Sequence, residues 1–463
     1  MNDIGLYGLG VMGVSLARNI ANRGYHTAVY NIDKEVTHRV CTTYPDLTGY
    51  DELSGFVKSL KKPRKIIVMV TAGKAVDEVC TSMRPLLEEG DILIDCGNSY
   101  YKDTERRQKE LEPYGLRFIG AGVSGGEKGA LNGPSIMPSG EYKAYACVQE
   151  ILTAMAAKNP DGSPCCTYIG NGGSGHFVKM VHNGIEYADM QLIAEFYAIF
   201  KKLYHGDHEK IADVFQGLNT GYLSSYLLDI TVDILRYQED GEYLVDRVLD
   251  IAKQKGTGKW TAQAALEYDI AVPSLLEAVQ ARFLSCKKQE RIQAEQLYPP
   301  QCGSIMKEES LCPSFTGAML CAKTSIYAQG FSLIQAVSDD KQYEINQKGL
   351  AEIWQNGCII KSEFLKKIEA VYEKDPDVKN LLLSDVCRES MAQYRKDANK
   401  IICFAQENGL YTPVLSSAIQ YLNGYVSGCL ETNLIQAQRD CFGAHTYQRV
   451  DKDGVFHSEW VRE

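Results

Sequence analysis

Five polar side chains with different functional groups lie three or four residues apart near the middle of this 463-residue chain. They are Lys179, His182, Asn183, Glu186 and Tyr187. Because an α-helix has about 3.6 residues per turn, this spacing places all five on one helix face. An amine, an imidazole and a carboxylate on one face can exchange protons with a bound molecule. The stripe is therefore a candidate site of chemistry.

The residues around this polar stripe predict a long, mostly buried helix over residues 176–200. A glycine-rich turn at residues 170–175 precedes it, and Ser174 is the expected N-cap. Polar stripes on amphipathic helices usually face solvent, and that alternative requires no chemistry. Solvated faces, however, repeat Glu, Lys and Gln, whereas the five groups here all differ. We therefore favour a stripe that faces an enclosed space.

A second motif lies at the start of the chain, between a predicted strand and a predicted helix. The residues are Gly8, Leu9, Gly10, Val11, Met12 and Gly13, between apolar residues 3–7 and a helical pattern that ends near residue 23. A GxGxxG turn between a strand and a helix binds the pyrophosphate of a dinucleotide at the helix N-terminus. Further strands, predicted at residues 27–30, 65–70, 91–96 and 116–121, alternate with helical patterns. This order predicts a parallel, doubly wound sheet.

Three loops offer further candidate ligand contacts. Two follow predicted strands, namely residues 95–99 and residues 122–130, where Ser124 precedes Gly125 and Gly126. Ligands of open α/β sheets bind at the carboxyl ends of strands, and bare backbone N–H groups suit an anionic or polyhydroxylated ligand. The third loop, residues 254–261, combines two lysines with hydroxyl groups, which would bind a phosphate. The alternative for each loop is a tight turn that needs glycine.

The strand pattern disappears after about residue 175, and helical patterns continue to about residue 430. The predicted fold class is an α/β Rossmann domain followed by a large all-α domain and an extended C-terminal tail. The expected boundaries are residues 1–174, 175–432 and 433–463. The tail is too apolar for a disordered segment yet has no period, so it must be buried against another surface, for which a second subunit is a candidate.

Composition limits the classes of partner. A net charge of −10 argues against a nucleic-acid surface or an anionic membrane as partner, but it is compatible with a small basic site. The chain enters a strand at once, without a signal peptide, and no apolar run approaches the ~18–20 residues of a membrane helix. We therefore predict a cytoplasmic protein. The fifteen cysteines have no zinc spacing and are interpreted as reduced thiols.

Taken together, these motifs resemble those of the 6-phosphogluconate dehydrogenase family over nearly the whole chain. The segments that carry the resemblance are residues 8–13, 94–99, 123–127, 133–138, 176–200, 255–261 and 439–445. The resemblance implies oxidative decarboxylation of 6-phospho-D-gluconate to D-ribulose 5-phosphate and CO2 in the pentose phosphate pathway, with reduction of NAD or NADP and without a metal. It also implies a homodimer in which the tail of each chain threads into its partner.

The family's residue roles transfer to the matching positions of this chain. Lys179 is the implied general base and Glu186 the implied general acid. The implied substrate contacts are Asn98, Ser124, Gly125, Gly126, His182, Asn183, Tyr187, Lys255, Thr257, Arg282, Arg439 and His445, of which the last two would reach the partner's site. The implied cofactor contacts are Gly8, Leu9, Gly10, Val11, Met12, Gly13, Asn31, Ile32, Asp33, Val70, Thr71, Ala72 and Asn98.

The chain departs from the family at the adenosine end of the cofactor. NADP-dependent members carry Asn-Arg-Thr where this chain has Asn31, Ile32 and Asp33, and they carry Lys where it has Thr71. Both differences remove positive charge that a ribose 2′-phosphate needs, which favours NAD. Lys34 is a cation that would still allow NADP. Lys128 replaces an acid usual in the family, without an evident consequence.

Two other functions remain open from the sequence. One is a β-hydroxyacid dehydrogenase that oxidises without decarboxylating, against which the long tail argues. The other is a catalytically idle dinucleotide-binding protein, which the complete set of polar residues disfavours.

Overall fold

A seven-stranded sheet organises the N-terminal part of the chain. The structure, a computed structural model, describes residues 1–299, 303 and 308–460. The strands of this sheet are β1 (Ile4–Tyr7), β2 (Thr27–Tyr30), β3 (Leu47–Gly49), β4 (Lys65–Val68), β5 (Ile92–Asp95), β6 (Arg117–Ser124) and β7 (Ser135–Ser139). The helices between and after them are α1 (Val11–Asn22), α2 (Lys34–Thr43), α3 (Leu53–Lys58), α4 (Lys74–Met83), α5 (Tyr101–Leu111), α6 (Gly126–Asn132) and α7 (Tyr142–Met155).

The strands follow the order β3-β2-β1-β4-β5-β6-β7. All neighbouring strands are parallel except β6 and β7, which are antiparallel. The sheet is buried on both faces, since Ile66 and Ile67, adjacent in β4, belong to different apolar clusters. The loops that follow β1, β4, β5 and β6 therefore lie at one edge of the sheet, where a ligand is expected.

The rest of the chain is almost entirely helical. Its helices are α8 (Ser174–Leu203), α9 (His208–Leu218), α10 (Tyr226–Arg236), α11 (Leu244–Arg247), α12 (Thr257–Glu267), α13 (Pro273–Ser285), α14 (Lys288–Leu297), α15 (Glu308–Lys341), α16 (Gln347–Ile353), α17 (Phe364–Lys374), α18 (Asp385–Glu407), α19 (Pro413–Tyr425) and α20 (Thr432–Gly443). A two-stranded hairpin, β8 (Gln238–Glu239) and β9 (Glu242–Tyr243), interrupts them. None of the described helices is both long enough and apolar enough to cross a membrane.

Helices α8 and α15 pack against each other at the centre of the helical part. Gly330 of α15 allows the close approach, because a Cβ there would lie 2.6 Å from a methyl carbon of Ile185. A buried ion pair of 2.5 Å joins Asp189 of α8 to Lys323 of α15. Breaking such a pair by removing one partner is costly, because it leaves a charge buried and unpaired. The position of α8 is thus held firmly along its length.

The observed fold confirms the predicted class, a Rossmann-like sheet followed by a large helical part. Some local expectations are wrong. Helix α8 begins at Ser174, so Gly173 is the N-cap and makes no side-chain cap. The predicted run of helices after residue 175 is interrupted by the β8–β9 hairpin, and the strands β3 and β7 were not expected. The tail begins with a regular helix, α20, rather than with the irregular segment expected.

Candidate active site

The polar stripe of α8 faces a cavity of about 500 Å³ between the sheet edge and the helical part. Four of its five residues line the cavity, namely Lys179, Asn183, Glu186 and Tyr187. They meet the loops after β5 and β6, and residues from the start of α12, from α13 and from the segment before α17. The stripe therefore faces an enclosed space, as the variety of its functional groups indicated.

Helix α8 reaches this position because β6 carries a glycine where the two elements cross. A Cβ at Gly122 would lie 2.4 Å from the Cβ of Lys179, closer than any real side chain tolerates. Any larger residue at position 122 would push α8 away from the sheet. The close approach of strand and helix brings the Lys179 side chain next to the loops that end β5 and β6.

Lys179 is a buried amine with few neutralising neighbours. Its side chain is only 5% exposed, and Nζ donates a hydrogen bond of 2.6 Å to Oδ1 of Asn183. Burial lowers the pKa of Lys179, and the negative charge of Glu186 offsets the shift only in part. The environment thus favours a lysine that can release its proton and act as a base.

Glu186 is shifted in the opposite direction. Burial raises the pKa of Glu186, while the positive charges of Lys179 and Arg282 lower it by less. A carboxyl group with a raised pKa keeps its proton closer to neutral pH and can act as an acid. The structure therefore places a potential base and a potential acid two helical turns apart on the wall of one cavity.

His182 lies behind the cavity wall rather than on it. Its ring is fully buried, with Nε2 3.1 Å from Oγ of Ser124 and an edge-on contact to the Trp354 indole at 5.3 Å between centroids. Burial and the nearby Lys179 charge place the pKa of His182 well below its usual value. A neutral imidazole there orients Ser124, whose Oγ also accepts a hydrogen bond from the backbone N–H of Ile359.

The far end of the cavity is cationic. It is lined by Lys253, Lys255, Thr257 and Arg282. The Arg282 guanidinium lies 3.4 Å over the ring of Tyr187 and donates a hydrogen bond to the carbonyl of Lys253. Within residues 1–299, 303 and 308–460, neither of these lysines nor Arg282 forms an ion pair with a carboxylate. Three cations that form no ion pair with a described carboxylate favour an anionic group at this end.

A second cavity, of about 880 Å³, follows the glycine-rich turn after β1. It is lined by Gly8, Gly10, Val11, Met12, Gly13, Asn31, Met69, Val70, Thr71, Ala72, Ala75, Gly97, Asn98, Lys255 and Trp260. Gly8 has φ +103°, and a Cβ there would lie 2.4 Å from the carbonyl oxygen of Met69, so only glycine fits. No atom lies within 4 Å of the position of a Cβ on Gly10 at the N-terminus of α1, so its backbone is open to a pyrophosphate. These features fit a dinucleotide.

The two cavities are adjacent. Met12, Met69, Asn98 and Lys255 line both of them. A dinucleotide that lay along the second cavity would therefore present one end to the cavity of Lys179 and Glu186. This adjacency is the geometry that transfer of hydride between two bound molecules requires.

At the opposite end of the dinucleotide cavity, the loop after β2 presents no free cation. Ile32 is 79% exposed and does not line the cavity. The carboxylate of Asp33 caps α2 by accepting a hydrogen bond from the N–H of Glu35. Nζ of Lys34, the cation considered able to bind a 2′-phosphate, lies 2.6 Å from a carboxylate oxygen of Glu52.

The structure does not bring every predicted residue to the cavities of its own chain. Leu9, Ile32 and Asp33 do not line the dinucleotide cavity, although the N–H of Leu9 donates to Asn31, which does. Arg439 and His445 are exposed on the tail, and neither lines the described cavities.

Some cavity residues were missed by sequence reasoning. They are Met69, Met190, Lys253 and Ile359, whereas Cys96, Val123 and Gln254 belong to loops already predicted as candidate ligand contacts. The i+4 spacing from Glu186 points to Met190, and Lys253 adjoins the lysine-rich loop, so the sequence carried a signal for both. Nothing local distinguishes Ile359. Among the described residues, no cluster of His, Cys, Asp and Glu could hold a metal ion.

Comparison with known families is consistent with this geometry. A family model described as the 6-phosphogluconate dehydrogenase C-terminal domain matches residues 175–460. A second, described as the NAD binding domain of 6-phosphogluconate dehydrogenase, matches residues 3–170. Between them they cover nearly the whole chain, including both cavities and the tail.

Known relatives match along their full length. The decarboxylating 6-phosphogluconate dehydrogenase of Staphylococcus aureus (strain N315) is 47% identical, over 100% of this chain and 99% of the relative. That of Shigella flexneri is 46% identical over 99% of both chains. A solved structure of Plasmodium falciparum 6-phosphogluconate dehydrogenase superposes with a TM-score of 0.95 at 40% identity, covering 99% of this chain and 100% of that one. That enzyme has been solved in its apo form, in complex with its cofactor NADP+ and in complex with its substrate 6-phosphogluconate.

Proposed function

We propose that this chain, which belongs to the 6-phosphogluconate dehydrogenase family, uses Lys179 as general base and Glu186 as general acid in the oxidative decarboxylation of 6-phosphogluconate. The observation that carries this proposal is a buried lysine with a lowered pKa and a partly buried glutamate with a raised pKa on one cavity wall. The enzyme is an NAD(P)-dependent oxidoreductase, and its product is ribulose 5-phosphate with CO2.

Lys179 starts the reaction by taking the proton of the substrate's 3-hydroxyl group. Its lowered pKa supports this step, because a lysine acts as a base only when neutral. When bound, the nicotinamide cofactor accepts the hydride from C3. Three of the four residues shared with the dinucleotide cavity, Met12, Met69 and Asn98, would line the path between the two molecules.

Lys179 then supports loss of CO2 from the 3-keto acid. Having taken a proton, it is a cation beside the oxygen on which negative charge develops, and such a charge is strongly stabilising in a buried site. Asn183 holds the amine in place through the 2.6 Å hydrogen bond to its Oδ1. Decarboxylation through an enediol needs no other electrophile in this arrangement.

Glu186 completes the reaction by protonating C1 of the enediol. It lies seven residues after Lys179, which corresponds to about 10 Å of helix rise. The two side chains therefore reach one bound substrate from different points along α8, so that Lys179 can act at the 3-hydroxyl oxygen while Glu186 acts at the neighbouring carbon. The raised pKa of Glu186 keeps the proton available near neutral pH.

The cationic end of the cavity is proposed to bind the substrate's phosphate. Lys255, Thr257 and Arg282 supply donors there, and Lys253 adds a further cation that sequence reasoning had not assigned. The stacking of Arg282 on Tyr187 fixes the direction of the guanidinium. Ser124, Gly125 and Gly126 line the remaining wall, where their hydroxyl and N–H groups suit the sugar hydroxyls.

We infer that NAD is preferred over NADP. The cofactor is a nicotinamide dinucleotide in either case. A 2′-phosphate at the end of β2 would meet the exposed Ile32, the side chain of the acidic residue Asp33 and a Lys34 already paired with Glu52. A free 2′-hydroxyl group meets no such repulsion.

We also propose that the active unit is a homodimer in which each tail completes the partner's site. Arg439 and His445 are absent from the cavities of their own chain, and α20 exposes apolar side chains, with Leu434 62% and Phe442 75% exposed. A partner surface would bury them.

The division of the chain into residues 1–174, 175–432 and 433–463 remains a prediction. A cytoplasmic location also remains a prediction.

The test of the function is an assay with 6-phosphogluconate and either NAD or NADP that records reduced cofactor and released CO2. We expect the two products in equal amounts. Reduced cofactor without CO2 would indicate a β-hydroxyacid dehydrogenase, and the absence of both would leave a dinucleotide-binding protein without this activity.

A further inference from the structure

The C-terminal tail forms a compact hook of its own. The hook consists of α20 and the residues that follow it up to 460. An antiparallel bridge joins Tyr447 to Phe456, and the hydroxyl groups of Tyr447 and Ser458 lie 2.6 Å apart. The chain thus turns back on itself after α20 instead of running out as an extended strand.

Asp440 is the centre of this hook. Its side chain is fully buried, although most residues around it are exposed. It accepts hydrogen bonds from the N–H groups of Thr446 at 2.9 Å and Ser458 at 3.1 Å, and from Nε1 of Trp460 at 2.7 Å. Nδ1 of His457 lies 2.9 Å away. The Asp440 carboxylate therefore joins the end of α20 to the chain on both sides of the Tyr447–Phe456 bridge.

The donors keep this carboxylate charged. Burial alone raises the pKa of Asp440, but the contacts from His457, Trp460 and the two backbone N–H groups outweigh burial and lower it to about 2. A buried carboxylate is stable only while its donors are in place. The ionised form thus selects the hook conformation over alternatives that would leave the charge unpaired.

The two residues proposed to act on the partner lie next to these contacts. Arg439 precedes Asp440, and its guanidinium donates to the Gln436 side chain. His445 lies between Ala444 and Thr446, both in the left-handed region, with φ 48° and 61°.

Two hydrogen bonds to the backbone of Thr446 hold the left-handed turn around His445. The N–H of Thr446 donates to the Asp440 carboxylate, and the carbonyl oxygen of Thr446 accepts from Nε2 of Gln436 at 2.6 Å. Such a backbone conformation is strained for a residue with a side chain and persists only where the surroundings hold it. Loss of the Asp440 contact would let His445 leave its position relative to Arg439.

We propose that Asp440 is a positioning residue that holds Arg439 and His445 in the arrangement needed at the partner's substrate site. The inference rests on the proposed exchange of tails and deepens it. Asp440 touches neither substrate nor cofactor. It acts through two residues that do, on the subunit to which the tail is donated.

The first test compares Asp440→Asn with Asp451→Asn. Asp451 lies in the same hook but is exposed, and among the residues that the structure describes it forms an ion pair with Arg449 alone, so its variant is the matched control. For Asp440→Asn, we expect the dimer to persist, the KM for 6-phosphogluconate to rise about 10-fold or more, and kcat/KM to fall about 100-fold, because two contacts lose their geometry. The KM for NAD and the activity of Asp451→Asn should stay unchanged.

The second test asks on which subunit Asp440 acts. Heterodimers are prepared from Lys179→Ala and Asp440→Asn chains carrying different affinity tags. One of the two sites then combines an intact pocket with an intact tail, so we expect about half of the wild-type activity, while both mutant homodimers remain weak. A defect within the Asp440→Asn chain's own pocket would not be rescued. A Lys179→Ala/His445→Ala heterodimer tests tail exchange itself.

The outcomes separate the two ideas. Rescue in both heterodimers supports the role of Asp440. Rescue with His445→Ala but not with Asp440→Asn would overturn that role and leave tail exchange intact. No rescue in either would remove tail exchange and the inference with it. An Asp440→Asn protein that is monomeric, or as active as Asp451→Asn, would also overturn the inference.

Discussion

Burial shifts the two proposed catalytic groups in the directions that their roles require. Burial in the same cavity removes water from both groups and so disfavours their charged forms. The pKa of Lys179 is lowered and the pKa of Glu186 is raised. Their mutual attraction opposes both shifts but does not cancel them. A single physical cause therefore prepares a base and an acid, and the protein needs no dedicated partner for either.

At the residue scale, Lys179→Ala should abolish hydride transfer and decarboxylation together. We expect kcat to fall by about 10³-fold or more, since the variant loses a general base and the cation that stabilises the enediolate. Calorimetric titration should show near-normal cofactor affinity, and the melting temperature reports folding. The matched control is Lys202→Ala, an exposed position on the same helix. Wild-type-like turnover in Lys179→Ala would end the assignment.

Cofactor preference is also decided by single residues. We expect a higher kcat/KM with NAD than with NADP. The double substitution Ile32→Arg/Asp33→Thr should shift the ratio toward NADP by about 100-fold, because a charge-assisted contact to the 2′-phosphate replaces repulsion. The measurement is kcat/KM with both cofactors at saturating 6-phosphogluconate. A wild-type preference for NADP would refute the inference, and Arg39→Ala, on the exposed face of α2, serves as the control for general charge effects.

At the element scale, α8 connects the catalytic cavity to the packing of the helical part. Beyond the stripe, the same helix carries Glu195, which is 1% exposed and accepts hydrogen bonds from the N–H groups of Val414 and Leu415 at the start of α19. A carboxylate of α8 thus satisfies two donors that α19 cannot pair internally. Even so, burial raises the pKa of Glu195 to about 7, and the two N–H donors only moderate the shift.

This raised pKa predicts a pH-dependent stability. Between pH 4.5 and about 7, the folded chain holds a proton on Glu195 that the unfolded chain has lost. The free energy of unfolding should therefore fall as pH rises through this window, by up to about 1.4 kcal/mol per pH unit, and then level off. Glu195→Gln should remove this part of the slope in urea unfolding at fixed protein concentration. Glu290→Gln, exposed on α14, should not, and equal slopes in all three proteins would contradict the prediction.

At the scale of the whole molecule, the proposed site is incomplete within one chain. The cavity contains the base, the acid and a cationic end, whereas Arg439 and His445 lie on an exposed hook. Catalysis and association would then be linked, because each site needs the other subunit's tail. The position of the hook at the end of the chain allows this exchange without disturbing the core around α8 and α15.

Removal of the hook should therefore impair catalysis more than cofactor binding. For a chain that ends at residue 431, we expect kcat/KM for 6-phosphogluconate to fall by about 100-fold or more, with little change in NAD affinity, because the dinucleotide cavity is built entirely from residues 8–260. Steady-state kinetics and titration calorimetry measure the two effects. Full activity of the shortened chain would contradict a role for the tail.

The sequence by itself determined the features that depend on local spacing. The 3.6-residue period predicts that Lys179 and Glu186 lie on one face of α8, and the glycine-rich turn after β1 predicts a dinucleotide cavity. Both patterns could be recognised because each depends only on residues close together in the sequence. Short or unusual elements escaped, such as β7, which contains Pro138 and pairs antiparallel. Three outcomes were decided only by the tertiary structure. The ring of His182 is buried behind the cavity wall, Lys34 forms an ion pair with Glu52, and Ile359 lines the cavity. Those outcomes depend on residues far apart in the chain, whose meeting is set by packing rather than by any local pattern.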